Sequence, residues 1–167
     1  LELINVLNEA VNRGNSLDKV MELFTRELRK IGICKDSTIY MISPDEKNLV
    51  MQHPGLSPSL VKKIEQLIGR PLPQIQIPIR EGSYFQQALQ SEQGIIATDP
   101  KIIQQWMREF TETKSLPDAL RRTIRNLIPQ IYKLLDIRST MILPLISGKK
   151  VIGLLDVSSA EILTERD

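Results

Sequence analysis

The sequence predicts an α/β (α+β) fold: one three-layer α/β/α domain around a central, mainly antiparallel sheet. Three observations point there. Val151, Gly153, Leu155 and Val157 alternate with Ile152 and Leu154, so the last strand is apolar on both faces and belongs mid-sheet, covered on both sides. Its neighbour, Ser139 to Ile146, reaches it through Ser147-Gly148-Lys149-Lys150, and a second strand pair flanks Pro44-Asp45, so hairpins rather than right-handed crossovers build the sheet. Amphipathic helical patterns occupy residues 16–32 and much of 57–136, one set for each face.

Leu1, Ile4, Leu7 and Val11 recur at helical spacing until Arg13-Gly14-Asn15, so residues 1–14 read as a connecting helix. Ser16 is a good N-cap with Asp18 in the first turn; Leu17, Val20, Met21, Phe24, Leu28 and Ile31 mark one face, and Gly32 stops the helix. Period two then takes over. Thr38, Tyr40 and Ile42 alternate with Ile39 and Met41, residues 43–47 turn, and Leu49 to His53 returns. Ser57-Pro58 opens a helix closed by Gly69 and Pro71. Ile75, Ile77 and Ile79 alternate with Gln74, Gln76 and Pro78, and the proline makes this stretch an edge strand or an extended segment.

Gly82 to Gln90 reads as a short helix and Gly94 to Thr98 as a short strand. Asp99-Pro100 caps a helix with Ile103, Trp106, Met107 and Phe110 in register. The polar stretch Thr111 to Ser115 precedes a longer helix with Leu120, Ile124, Leu127, Ile131 and Leu134 on one face and a kink expected at Pro129. In the last hairpin Pro144 calls for a bulge or an unpaired N–H side.

Composition removes functions more than it suggests them. A chain of 167 residues buries roughly two-thirds of its unfolded surface and needs no metal or disulfide to hold it. Twenty-two basic against twenty acidic residues lack the balance of a dedicated nucleic-acid binder. One cysteine forbids an internal disulfide, and with one histidine it cannot build a structural zinc site. Apolar runs such as Met141 to Ile146 are far shorter than the ~20 residues of a membrane span. With no leader and a start on Leu1, the chain reads as a cytoplasmic domain excised from a longer protein, with no membrane contact of its own.

The run Ile137-Arg138-Ser139-Thr140-Met141-Ile142-Leu143-Pro144-Leu145, followed by Gly148-Lys149-Lys150-Val151-Ile152-Gly153-Leu154-Leu155-Asp156-Val157, resembles the most recognisable stretch of the GAF domain family. Ser16-Leu17-Asp18-Lys19-Val20 resembles the helix before that family's first hairpin, and Leu163-Thr164-Glu165-Arg166-Asp167 the start of its exit helix. The resemblance implies a sensor domain over residues 15–163, with residues 164–167 beginning a C-terminal connecting helix. Residues 101–136 look longer and more helical than the family usually has there. It further implies a non-catalytic module of a bacterial or archaeal signalling protein, expected to be a sensor histidine kinase of a two-component system. Such a module binds a small molecule between sheet and helical cover and signals to an output domain through terminal helices that also form a homodimer. Two alternatives stand beside it: a ligand-free dimerisation relay built on Leu1, Ile4, Leu7 and Val11, or the effector domain of a transcription regulator.

Tyr40, Tyr84, Phe85, Trp106, Met107, Phe110 and Met141 are the expected pocket lining, because apolar and aromatic side chains dominate such walls; core packing explains each one as well. Arg121, Arg122 and Arg125 adjoin on one helix and suit an oxyanion, although a solvated helix face is the plainer reading. Asp156 stands on an apolar strand, either as an acceptor of structural hydrogen bonds or as a ligand contact. No cofactor is expected. His53 reads as a strand-end residue rather than a haem ligand, and Cys34 as a buried small residue rather than a bilin attachment point, since the family's Cys-His chromophore pair is absent. A single thiol cannot run the disulfide chemistry of the free methionine sulfoxide reductases that share the fold. The family's Asn-Lys…Phe…Asp-Glu cyclic-nucleotide pattern is not evident either.

Overall fold

The computed structural model describes residues 9–164 apart from 11, 31, 33 and 54. The stripe Leu1, Ile4, Leu7 and Val11 and the end Glu165 to Asp167 lie outside the described residues; of the expected connecting helix, Glu9, Ala10 and Asn12 are helical.

Helix α1 (Leu17–Lys30) begins at Ser16, whose hydroxyl accepts from Lys19 N at 3.4 Å. A hairpin follows, β1 (Asp36–Ile42) and β2 (Asn48–His53), closed by Ser43, whose Oγ accepts from Asn48 N at 3.0 Å. Helix α2 (Pro58–Ile68) starts on a Ser57 cap and ends at Gly69, which takes the left-handed φ of 79° that closes a helix without a Cβ clash. Next come β3 (Gln76–Pro78), α3 (Tyr84–Gln90), β4 (Ile95–Ala97) and α4 (Pro100–Glu109), the last capped by Asp99 at 2.7 Å from Lys101 N. A 3-10 turn (Phe110–Glu112) leads to α5 (Asp118–Leu135), which stays helical through Pro129. The chain closes with β5 (Ser139–Ser147) and β6 (Lys150–Ser159).

Among the described residues the six strands form one sheet, ordered β3-β2-β1-β6-β5-β4, with every neighbouring pair antiparallel. The twice-apolar β6 lies in its interior, and the proline-bearing β3 takes one edge. The register shift expected near Pro144 falls between Leu145 and Ile146. One face packs Ile39, Leu155, Val157 and Leu163 against Phe24 and Leu28 of α1. The other carries Tyr40, Leu49, Ile142 and Leu154 under Phe85, Ile103 and Trp106 of the middle helices. The three-layer α/β/α domain is therefore present.

One local expectation changes. On α5 the buried positions are Ile128 and Ile131, while Leu134 is 37% exposed, so the inward stripe is rotated from the one expected. Ile124, Ile128, Ile131 and Leu135 keep helical spacing and face the sheet. In the polar stretch after α4, Thr111 and Thr113 are buried, bonded to Arg108 O (2.7 Å) and Phe110 O (3.1 Å).

Candidate functional site

A cavity of about 180 Å³ lies between the sheet and helices α2 to α5. Its walls are mainly apolar: Tyr40 and Met51 from the sheet, Ile64 and Ile68 from α2, Phe85 from α3, Ile103, Trp106 and Met107 from α4, and the inward stripe of α5. Tyr40, Phe85 and Phe110 pack as an aromatic cluster with centroids 5.5–6.2 Å apart. Glu109 fastens this cover. Its Oε1 accepts from Tyr84 N at 2.7 Å at the start of α3, although burial raises its pKa above the ordinary carboxyl value.

One region of the cavity is polar. Alternate residues of β1 and β6, Asp36 and Thr38, Asp156 and Ser158, reach it together with Thr140 of β5. The register brings them side by side: Thr38 lies opposite Asp156, Asp36 opposite Ser158, and Thr140 opposite Ser158 on the other flank. Thr140 Oγ1 donates to Asp156 Oδ1 at 2.7 Å, and Ser158 Oγ contacts Thr140 Oγ1 at 3.4 Å. Arg29 of α1 places a guanidinium nitrogen 3.5 Å from Asp36 Oδ1, whereas Asp36 Oδ2 has no partner although the residue is only 8% exposed. Trp106, 4% exposed in the opposite wall, likewise has no acceptor for its Nε1 hydrogen. Both atoms belong to residues of the cavity wall, and Arg29 Nε beside Asp36, Thr25 Oγ1 and Ser37 Oγ are likewise buried without a partner.

Burial pushes the Asp156 carboxyl up to about 6, assisted by the nearby Asp36 charge and opposed by the Thr140 hydrogen bond. Asp36 is raised too, by burial, against Arg29 and Lys35. The Tyr40 hydroxyl is raised by burial and by Asp156. Asp156 thus holds its proton more tightly folded than unfolded, and this term lowers stability as pH rises from about 4 to about 6. Asp156→Asn is expected to remove it. Urea unfolding of variant and wild type should agree near pH 4 and diverge in the variant's favour by on the order of 3 kcal/mol by pH 7. Parallel curves across that range would contradict the buried carboxyl.

Of the lining expected from sequence, Tyr40, Phe85, Trp106, Met107 and Phe110 meet at the cavity. Tyr84 does not form its wall: the ring packs on Trp106 at 5.5 Å and the hydroxyl bonds Gln105. Met141 needs correction as well. Thr140 and Ile142 face the cavity, so strand alternation turns Met141 to the opposite face, near Leu155 and Val157.

The three arginines lie outside the cavity wall and form no joint clamp. Arg121 is spent on the carbonyls of Thr111 (2.9 Å), Thr113 (3.4 Å) and Leu116 (3.3 Å) and on Asp118 (3.1 Å). Arg125 bonds Thr111 Oγ1 at 2.9 Å and pairs with Glu112, while Arg122 is exposed. Two of them therefore tie the segment after α4 to α5.

Cys34 packs on the α1 side of the sheet with its thiol donating to Asp36 O at 3.3 Å, and burial first, then the Asp36 charge, pushes its pKa up to about 11. His53 closes β2 opposite Ile39; its side chain lies outside the described residues. Among the described residues no three His, Cys, Asp or Glu side chains gather as metal ligands, and no helix is long and apolar enough to cross a membrane. Sequence reasoning missed Asp36, Thr38, Thr140 and Ser158. The available signal was polar residues at every second position of β1 and β6, in phase with Tyr40 and Leu154.

The GAF domain family model matches residues 16–167. Among solved structures the fold is similar to a GAF domain/HD domain protein from Geobacter sulfurreducens (TM-score 0.51, 15% identity, covering 89% of this chain and 80% of that one). It is also similar to residues 122 to 287 of a methyl-accepting chemotaxis protein (0.58, 14%, 99% and 87%). A third similar structure is a red/green cyanobacteriochrome in its red light-absorbing state (0.50, 15%, 89% and 82%). No curated protein matches the chain.

Proposed function

Since the chain belongs to the GAF domain family, we propose that it is a small-molecule sensor module of a cytoplasmic signal-transduction protein, with a sensor histidine kinase as the parent chain. The observation that carries this reading is the apolar cavity of about 180 Å³ with one polar region, built from Asp36, Thr38, Thr140, Asp156 and Ser158. Fully packed cores leave no empty space of this size. The similar chemotaxis and HD-domain proteins support a signalling role by their descriptions. The module binds its ligand without transforming it, uses no cofactor, and pairs with a second copy through its terminal helices.

A route from cavity to exit supports the relay. Thr140 lines the cavity, and its neighbour Ser139 bonds the departing chain: Ser139 Oγ contacts Glu161 O and accepts from Leu163 N at 2.9 Å. Leu163 then packs beside Cys34 and Val157 on the far side of the sheet. A ligand that favours one packing of β5 against the cover therefore biases how residues 160–164 leave the domain, by no more than its differential affinity for the two packings.

Trp106 is the only tryptophan and stands in the wall, which makes its emission the natural reporter. Native mass spectrometry of the purified protein, followed by titration with metabolite pools, is expected to find a bound compound that changes Trp106 emission and raises Tm. Calorimetric binding with silent Trp106 emission would move the ligand out of this cavity and overturn the reading.

A further inference from the structure

We infer that the cavity takes a compact organic cation, an ammonium group on an apolar body, with its charge held between Asp36 and Asp156. The inference rests on the sensor reading above and adds the ligand's chemistry.

The charges around the polar region decide the sign. Asp36 enters from β1 and Asp156 from β6, and among the described residues no Lys or Arg lines the cavity. Arg29 approaches Asp36 Oδ1 from α1 at 3.5 Å. Lys35 is taken up by Asp136, its Nζ 2.9 Å from the carbonyl and 3.1 Å from Oδ2. Among the described residues, Cys34 and Tyr40, titratable groups near the carboxylates, stay neutral because burial raises both pKa values. Two carboxylates set against one guanidinium leave, among the described residues, a single negative charge without a counter-charge. An anionic ligand would add repulsion there, and a neutral donor such as an alcohol bonds Asp36 Oδ2 but leaves the charge unbalanced. An ammonium brings three donors and one positive charge.

The rest of the wall suits the rest of such a molecule. Aromatic rings of Tyr40, Phe85, Trp106 and Phe110 bound the apolar part, and π faces attract cations as well as hydrocarbon. A cavity of about 150 Å³ holds benzene, so about 180 Å³ fits a body of roughly six to ten non-hydrogen atoms.

Three probes of one shape separate the possibilities: cyclohexylmethylamine, cyclohexylmethanol and cyclohexanecarboxylate, titrated calorimetrically into the whole domain at pH 7.5. The amine is expected to bind at least about tenfold more tightly than the alcohol, with the carboxylate weakest. Asp36→Asn and Asp156→Asn, each nearly isosteric, are expected to lower amine affinity about tenfold or more while leaving the alcohol's unchanged, which also shows the variants folded. If the alcohol or the carboxylate binds as tightly as the amine, the charge assignment falls and the pocket stands. Amine binding indifferent to both substitutions overturns the assignment to these two carboxylates. If none of the three binds the folded domain, the cation inference and the pocket reading fail together.

Discussion

Gly153→Ala is expected to destabilise the domain by about 3 kcal/mol or more, through overpacking at a point where nothing can yield. A Cβ at this position would lie 2.1 Å from Tyr40 O, a backbone atom of the adjacent strand, and 3.2 Å from Met41 Cα. Gly153 faces Met41 in the β1–β6 ladder and Leu145 in the β5–β6 ladder, so β6 is held from both sides and cannot move away alone. The added methyl must part β1 from β6, and Tyr40, whose ring forms part of the cavity wall, moves with β1. Urea unfolding should show a lowered midpoint with an unchanged m-value, and Trp106 emission in the folded variant should shift. A midpoint equal to wild type would mean that β1 and β6 do not meet in this register.

Phe85→Ala is expected to cost about 3–5 kcal/mol, the upper range for truncating an aromatic core residue. Phe85 is fully buried, and its ring meets Tyr40 edge-on at 5.7 Å and Phe110 at 5.5 Å. The site already borders a cavity, so the void adds to existing space instead of being closed by neighbours, which places the cost high in that range. The same void makes a second expectation. Benzene should raise the Tm of Phe85→Ala well above its effect on wild type, because a ligand that fills the space restores stability by mass action. A small loss of stability, or no benzene response, would place the ring outside the wall.

The local architecture was legible because it depends on near neighbours along the chain. Ser57 and Asp99 were readable as helix starts, and their oxygens accept from Leu60 N (3.3 Å) and Lys101 N (2.7 Å). The double apolar periodicity of residues 151–157 required a strand covered on both faces, and β6 occupies that place. Aromatic residues of the middle segment were a sound guide to the cover, since Phe85, Trp106, Met107 and Phe110 all reach the cavity.

The errors fall where the answer depends on which face or which partner a side chain meets. Met141 is apolar like its neighbours, and only the register of β5 against β6 turns it away from the cavity. Arg121 and Arg125 read as a charged helix face or an anion clamp, but they hold the buried Thr111 segment.

By itself, then, the sequence determined the elements, the central place of the last strand and the family, because caps, periodicity and apolar spacing act over a few residues. The polar region of the cavity was decided by the tertiary structure alone. Asp36 and Asp156 are 120 positions apart, and they become neighbours only when β1 and β6 pair with Thr38 opposite Asp156. That register is selected by burying both faces of the sheet at once, a condition on the whole core that no short window of residues contains.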